Sequence, residues 1–216
     1  MGSRLETIHE FFLNLAGDRE LNLNDYDKSP MMLCYMIELY AHRNQYREDG
    51  TPYYEHPAQC ADSFHTFYGF KADNFDKDLL DELGLPFDGV GEVCLLHDVI
   101  EDTDFTIDDI VDIFYDTFHI PFYVEYIEEP LKLITHDKSV DYEDYIDICM
   151  TNPISAMAKM LDLQNNLNAL TLVSLDEEKY ERMQKYLYYI YKINNKYHFI
   201  ERVSEYREKL KDKFNE

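Results

Sequence analysis

The stretch that decides the reading of this chain is LLHDVIEDT, Leu95 to Thr103. As a helix, it places His97 one turn from Glu101 and Asp98 one turn from Asp102, so four ionisable groups share one broad stripe. Leu95, Leu96, Val99 and Ile100 flank that stripe, which predicts a mostly buried helix from about Val90 to Asp102 rather than a solvated acidic face. Burying such a stripe without a cation is costly. Imidazole nitrogen and carboxylate oxygen together suit Mn²⁺, Fe²⁺ or Zn²⁺, and oxygen-rich mixed sets lean toward six-coordinate ions. Glu101 and Asp102 fall where the helix dipole opposes negative charge, which hints at a role beyond helix stability. The alternative, two last-turn acidic residues with no task, stays open at this point.

Outward from this stretch, helical periodicity dominates and runs of two-residue alternation are absent. Ser29-Pro30 predicts an N-cap and first helical residue, opening a helix through Met31, Leu33, Met36, Ile37 and Tyr40 that ends near Asp49-Gly50. Asp49-Gly50-Thr51-Pro52 reads as a turn, after which Pro57 opens a helix through Cys60, Ala61 and Phe64 and leaves His56 at its entrance. Residues 70–89 read as a surface excursion around a short Leu-rich turn. Thr106-Ile-Asp-Asp marks another helix start, and further helices are predicted over 120–135, 141–150 and 153–170, the last opened by Asn152-Pro153. Within it, KMLDLQNN presents Asp162 and, one turn later, Asn166 on an amphipathic helix; a plain polar stripe is the competing reading. Ser174-Leu-Asp-Glu177 reads as a capping box that opens a Tyr-rich C-terminal extension over 175–212. The expected architecture is all-α, a single domain over 1–216 with its motifs within about 30–170.

Composition narrows the partners. With 45% hydrophobic and 15% aromatic residues, 7 Gly and 7 Pro, the 216-residue chain is too core-rich for disorder. Its 44 acidic against 20 basic side chains, net −24, repel a nucleic acid polymer. A small phosphorylated ligand is compatible with that charge, because a divalent cation and a few local Lys or Arg residues can reverse the potential inside one cleft. Cys34, Cys60, Cys94 and Cys149 form no compact ligand pattern and read as buried free thiols. No apolar run suggests a membrane span and the N-terminus lacks a cleavable leader, so a cytoplasmic location with no membrane partner is expected. The run KYLYYIYKI, 185–193, is read as core packing rather than as a base-stacking platform, since nothing basic interleaves with its rings. His42, His65, His119, His136 and His198 are read as ordinary structural or surface residues.

AHRNQYREDGTPYYEHP, LLHDVIEDT and KMLDLQNNL, in that order, resemble the three signature segments of HD-superfamily hydrolases, and specifically the alarmone (ppGpp) hydrolase domain of the Rel/Spo type. The dipeptide His-Asp alone carries little, since His136-Asp137 occurs here without matching context. The resemblance implies a helical HD-type fold with a central metal cleft, and it is what brings four distant segments together: His56, His97, Asp98 and Asp162 as ligands of one divalent ion. It implies Mn²⁺ first, with Fe²⁺, Zn²⁺ or Co²⁺ as alternatives. Glu101 and Asp102 correspond to the acidic pair that handles the attacking water, and Arg47 to an arginine that lies against the nucleobase. Lys159 offsets charge nearby and Asn166 completes the substrate-binding set. The implied activity is metal-dependent removal of the 3′-pyrophosphate from a ppGpp-like nucleotide, as in the stringent response. Alternatives are HD hydrolysis of another nucleotide or phosphoester, or a silent nucleotide-binding sensor. Against the family pattern, Arg-Lys-Ser-Gly is here Arg47-Glu48-Asp49-Gly50, and two arginines following the metal Asp are absent. Those changes bear on substrate choice and leave the metal set intact.

Overall fold

In the computed structural model, residues 3–16, 29–47, 49–69, 75–119, 124–171, 174 and 176–214 are described. Among them there is no strand, only an isolated bridge between Tyr46 and Pro52. The fold is all-α, as expected. Its first half comprises α1 (Arg4–Ala16), α2 (Pro30–Ala41), α3 (Glu55–Tyr68), α4 (Lys77–Glu82), α5 (Val90–Leu96), α6 (Val99–Asp102) and α7 (Ile107–Phe118). A π-helical turn (Val124–Glu128) then leads into α8 (Glu129–Ile134), α9 (Tyr142–Cys149), α10 (Pro153–Thr171), α11 (Glu177–Tyr197) and α12 (Phe199–Phe214).

The centre of the fold is α5, packed between α2, α3 and α10. Its sequence dictates that place, because Val90, Gly91 and Val93 to Leu96 are all buried and leave no wide polar face. Gly91 permits the contact with α2, since a β-carbon there would collide with the Met31 side chain. Gly89 caps α5 in a left-handed conformation, φ 83°, against the carbonyl of Tyr126. A β-carbon at Gly89 would fall far inside van der Waals contact distance of that oxygen. Gly89→Ala is therefore expected to cost about 3 kcal/mol or more in urea unfolding, the sum of backbone strain and overpacking. A loss below about 1 kcal/mol would mean that the Tyr126 backbone yields.

The second central element, α10, is buried all round from Ile154 to Leu163, including Lys159 and Asp162. The expected amphipathic helix is thus an interior one, and Asp162 sits inside rather than along a polar stripe. A single apolar cluster extends from Ile8 to Leu210 and takes in Phe199, Val203 and Tyr206, so the C-terminal extension packs into the core. In the Tyr-rich run, core packing holds for Tyr189 and Ile193, whereas Leu187, Tyr188 and Tyr191 are exposed on the outer face of α11.

Several expected boundaries move. The predicted helix over Val90 to Asp102 is interrupted at His97-Asp98, where Asp98 relaxes to φ −90°, ψ −13° and the chain restarts as the single turn α6. α2 ends at Ala41 rather than near Asp49, because the chain folds back on itself: the Arg47 N–H donates to the Thr51 carbonyl (2.8 Å) and Gly50 turns the corner at φ 86°. Glu48 lies outside the described residues. So do residues 70–74 of the excursion, whose remainder carries α4, capped by the Asp76 side chain on the Leu79 N–H at 3.1 Å. Ser29 precedes α2 without a side-chain cap. The C-terminal cap is Asp176 on the Lys179 N–H (2.9 Å), two residues beyond the predicted Ser174 box; Leu175 lies outside the described residues. The Thr106 capping box forms as expected, with Asp109 at its third position.

Candidate metal centre

Three buried elements converge on one point. The first turn of α3 delivers His56, 3% exposed, from the loop that carries Tyr53. The junction between α5 and α6 delivers His97 and Asp98. Asp162 comes from the middle of α10, 106 residues from His56 along the chain and 3.1 Å from its Nε2.

Hydrogen bonds on the far side of each imidazole set its tautomer. Asn165 donates its Nδ2 to Gln59 Oε1 (3.4 Å), which leaves Asn165 Oδ1 to accept the Nδ1–H of His56 (2.7 Å). His97 donates its Nδ1–H to the Cys94 carbonyl (2.7 Å). Both Nε2 atoms therefore face inward as acceptors, the arrangement of a metal-binding imidazole with an anchored outer nitrogen. His97 Nε2 is buried and has no hydrogen-bond partner, yet it stands 3.2 Å from Asp98 Oδ1 and 3.6 Å from Asp162 Oδ1. Asp98 Oδ2 is 3.8 Å from His56 Nε2. Two imidazole lone pairs thus face two carboxylates that take their donors from the outer side, from Tyr53, Lys159 and Asn166, and no donor stands between the imidazole nitrogens and the carboxylate oxygens. That donor set fits a divalent cation, which would satisfy all of them at once.

Without a cation the cluster must hold protons instead. Burial disfavours a charged His97, but Asp98 and Asp162 outweigh it and push its pKa up to about 9. Burial likewise opposes ionisation of Asp162, and Lys159 with the two imidazoles holds it well below the usual carboxylate range. Lys159 is buried, donates to Asp162 Oδ2 (2.8 Å) and lies 5.2 Å over the Tyr145 ring. Asp162 keeps Oδ1 for the imidazoles and for Asn166 Nδ2, 2.6 Å away.

The other sequence candidates fall around this core. Arg47 donates to Asn166 Oδ1 (3.2 Å), forming a chain from Arg47 through Asn166 to Asp162. Glu101 is half-buried and accepts the His136 N–H at 3.2 Å. Burial raises its pKa, with Asp98 and Asp102 adding to the rise and the His136 N–H and Lys159 opposing it. Arg47, Glu101, Lys159 and Asn166 line one cavity of about 200 Å³ with His56, Asp98 and Asp162. That cavity shares Arg47, Tyr53 and Asn166 with a neighbour of about 400 Å³ whose wall adds Lys179 and Arg182. Asp102 is exposed and off the first cavity's wall; it reaches the centre through Tyr53, whose hydroxyl lies 2.9 Å from Asp102 Oδ2 and 3.0 Å from Asp98 Oδ2. A separate, mostly apolar cavity lined by Ile110, Phe114 and Ile127 holds no imidazole or thiol.

Sequence reasoning passed over several of these groups. Tyr53 lies inside the quoted TPYYEHP, but nothing local says that its hydroxyl bridges two aspartates. Asn165 precedes Asn166, and successive residues point about 100° apart on a helix, so one faces His56 and the other Asp162. His42, read as an ordinary residue, is buried and stacks on Tyr53 with ring centroids 4.8 Å apart. Cys60 is buried one turn after His56, with Sγ 3.8 Å from its Nδ1 and 4.0 Å from its Nε2. One ligand atom each from His56, Cys60, His97 and Asp162 lie within 4.8 Å of one another. All four cysteines are free and buried, as expected. No helix among the described residues is long and apolar enough to cross a membrane.

No protein-family model matches the chain, and no curated protein matches its sequence. Among solved structures it matches one described as a metazoan ortholog of SpoT that hydrolyzes ppGpp and plays a role in starvation responses. The TM-score is 0.53 at 20% identity, over 84% of this chain and 96% of that one. The likeness is one of fold: the chain shares the all-α fold of that structure, the fold that its three motif segments led us to expect.

Proposed function

We propose that this chain is a metal-dependent phosphohydrolase of a small phosphorylated nucleotide, with His56, His97, Asp98 and Asp162 as metal ligands and a ppGpp-like 3′-pyrophosphate as the group removed. The observation that carries it is the convergence of two inward-facing Nε2 atoms and two carboxylates, with no donor between the nitrogens and the oxygens, beside the half-buried Glu101. A divalent cation at that point supplies electrophilic activation of phosphoryl and water oxygen. We assign Mn²⁺ first, with Fe²⁺, Zn²⁺ and Co²⁺ as alternatives.

The chain's own residues then have distinct tasks. Glu101, whose carboxylate pKa is raised by its partial burial, takes a proton from the attacking water. The water oxygen bonds to the phosphorus next to the 3′ oxygen, that P–O bond breaks, and the leaving oxygen gains a proton. The products are a nucleoside 5′-diphosphate and pyrophosphate. Asp102 steadies this network from outside through the Tyr53 hydroxyl. Arg47, held by Asn166, meets the base or a phosphate, and Lys159 offsets negative charge at the cavity wall. Lys179 and Arg182 on the neighbouring wall replace some of the cations missing from the motif segments.

The same departures favour a second reading, hydrolysis of a different nucleotide, since Asp49 lines the neighbouring cavity where a doubly pyrophosphorylated ligand needs positive charge. A product assay with ppGpp, NADPH, dNTPs and nucleoside monophosphates under Mn²⁺ separates them. Pyrophosphate released from ppGpp alone supports the first reading. Turnover confined to another member of the panel replaces the substrate. Tight ppGpp binding without product would make the chain a sensor.

A further inference from the structure

We propose that the outer face of α11 is the interface of a twofold, antiparallel dimer of this chain. Four large side chains on that helix, Tyr180, Leu187, Tyr188 and Tyr191, are between 52% and 69% exposed. At about 100° per residue they fall within one sector of the helix, together with Gln184 and Asn195, which are also exposed. Tyr180, Gln184, Leu187 and Tyr191 follow the alternating spacing of four and three residues that marks a helix-pairing seam. The opposite face fixes α11 on the molecule through the buried Tyr189 and Ile193.

Apolar side chains exposed singly are ordinary surface, whereas a contiguous stripe marks a contact. Side chains exposed to this degree present roughly 100 Å² each, so two copies meeting here remove about 800 Å² from water. Gln184, Asn195 and Glu181 at the margin bring the total to the roughly 1,000 Å² at which specific association begins, the size of a weak dimer.

Charge selects a second copy as the occupant. The chain carries a net −24, so two copies repel each other over most of their surface. The six residues of the stripe are all uncharged, and α11 reverses the balance of the chain with five basic residues against three acidic. Along the edge of the stripe, Glu177 and Glu181 lie toward the N-terminal end and Lys196 toward the C-terminal end. Parallel copies would set the glutamates against each other. Antiparallel copies set them near Lys196 of the partner subunit and oppose the two helix dipoles. Arg182 and Tyr186 leave the other side of α11 to line the cavities of the metal centre, so pairing through the stripe leaves both cavities open.

Sedimentation velocity of the 216-residue chain from about 1 to 200 µM tests the interface over the range of a weak dimer. We expect the wild type to move from one chain mass to two. Leu187→Glu combined with Tyr191→Glu should stay at one chain mass with unchanged far-UV circular dichroism. Leu15→Glu, at an equally exposed apolar position on α1, should dimerise like the wild type. Glu177→Lys should weaken the dimer about fivefold or more, since it turns two attractions into repulsions. A wild type that holds one chain mass over the whole range would overturn the interface, as would a dimer that survives the double substitution. A dimer indifferent to Glu177→Lys would overturn the antiparallel arrangement.

Discussion

Replacing Asp98 by Asn is expected to lower kcat/KM for metal-dependent nucleotide hydrolysis by about 10³-fold or more, roughly 4 kcal/mol of transition-state stabilisation. The amide has nearly the same volume and still accepts from the Tyr53 hydroxyl, now 3.0 Å away. What it lacks is the negative charge that faces His97 Nε2 at 3.2 Å and His56 Nε2 at 3.8 Å. The far-UV circular dichroism should therefore match the wild type while turnover collapses. Asp102→Asn is the informative companion, because that carboxylate is exposed and acts only through Tyr53. It should cost about tenfold, the lower end of what outer-shell partners contribute. Full turnover by Asp98→Asn with added Mn²⁺ would remove Asp98 from the centre.

The second large effect concerns stability. Glu38 on α2 is fully buried, and neither of its carboxylate oxygens has a hydrogen-bond partner. Burial raises its pKa most; His97 opposes and Asp98 reinforces the rise, and the result is pushed up to about 9. The folded state therefore binds this proton more tightly than the unfolded chain, in which the group titrates near 4.3. Its contribution is complete below about pH 4.3 and is lost as pH rises through about 9, so the free energy of unfolding falls across that window. The full shift would be worth about 6 kcal/mol, and relaxation of real interiors reduces it to about 2–3 kcal/mol. Glu38→Met keeps the length of the side chain and removes the carboxyl. It should flatten the decline between pH 5 and 9 and raise Tm at pH 8 by about 5 °C.

His97 titrates near the same pH with the same sign, since its raised pKa also favours folding only while the proton is held. The measurement therefore uses chelator-treated protein and takes the difference between variant and wild type at each pH. Parallel unfolding curves for the two proteins would show that Glu38 carries no such charge penalty.

Helix content and the order of the motif segments were legible in the residues because their signals are local. Periodicity of 3.6, the Thr106 box and the Pro153 start each operate within a few positions, and the elements follow them. The boundaries that moved are those where a side chain answers to something distant. α2 stops at Ala41 so that the loop after it can carry Arg47 to Asn166, 119 residues away. The helix predicted through His97-Asp98 breaks where both residues turn toward α3 and α10.

By itself the chain's residue order determined an all-helical protein with a His-Asp pair in apolar surroundings and an acidic pair one turn on. Only packing of α3, α5 and α10 decided that His56 and Asp162 meet at 3.1 Å and that Asn165 selects the His56 tautomer. Packing also turned Lys159 toward Asp162. The physical reason is range: caps and periodicity are settled by neighbours in sequence, whereas a ligand set is settled by which buried faces exclude water together.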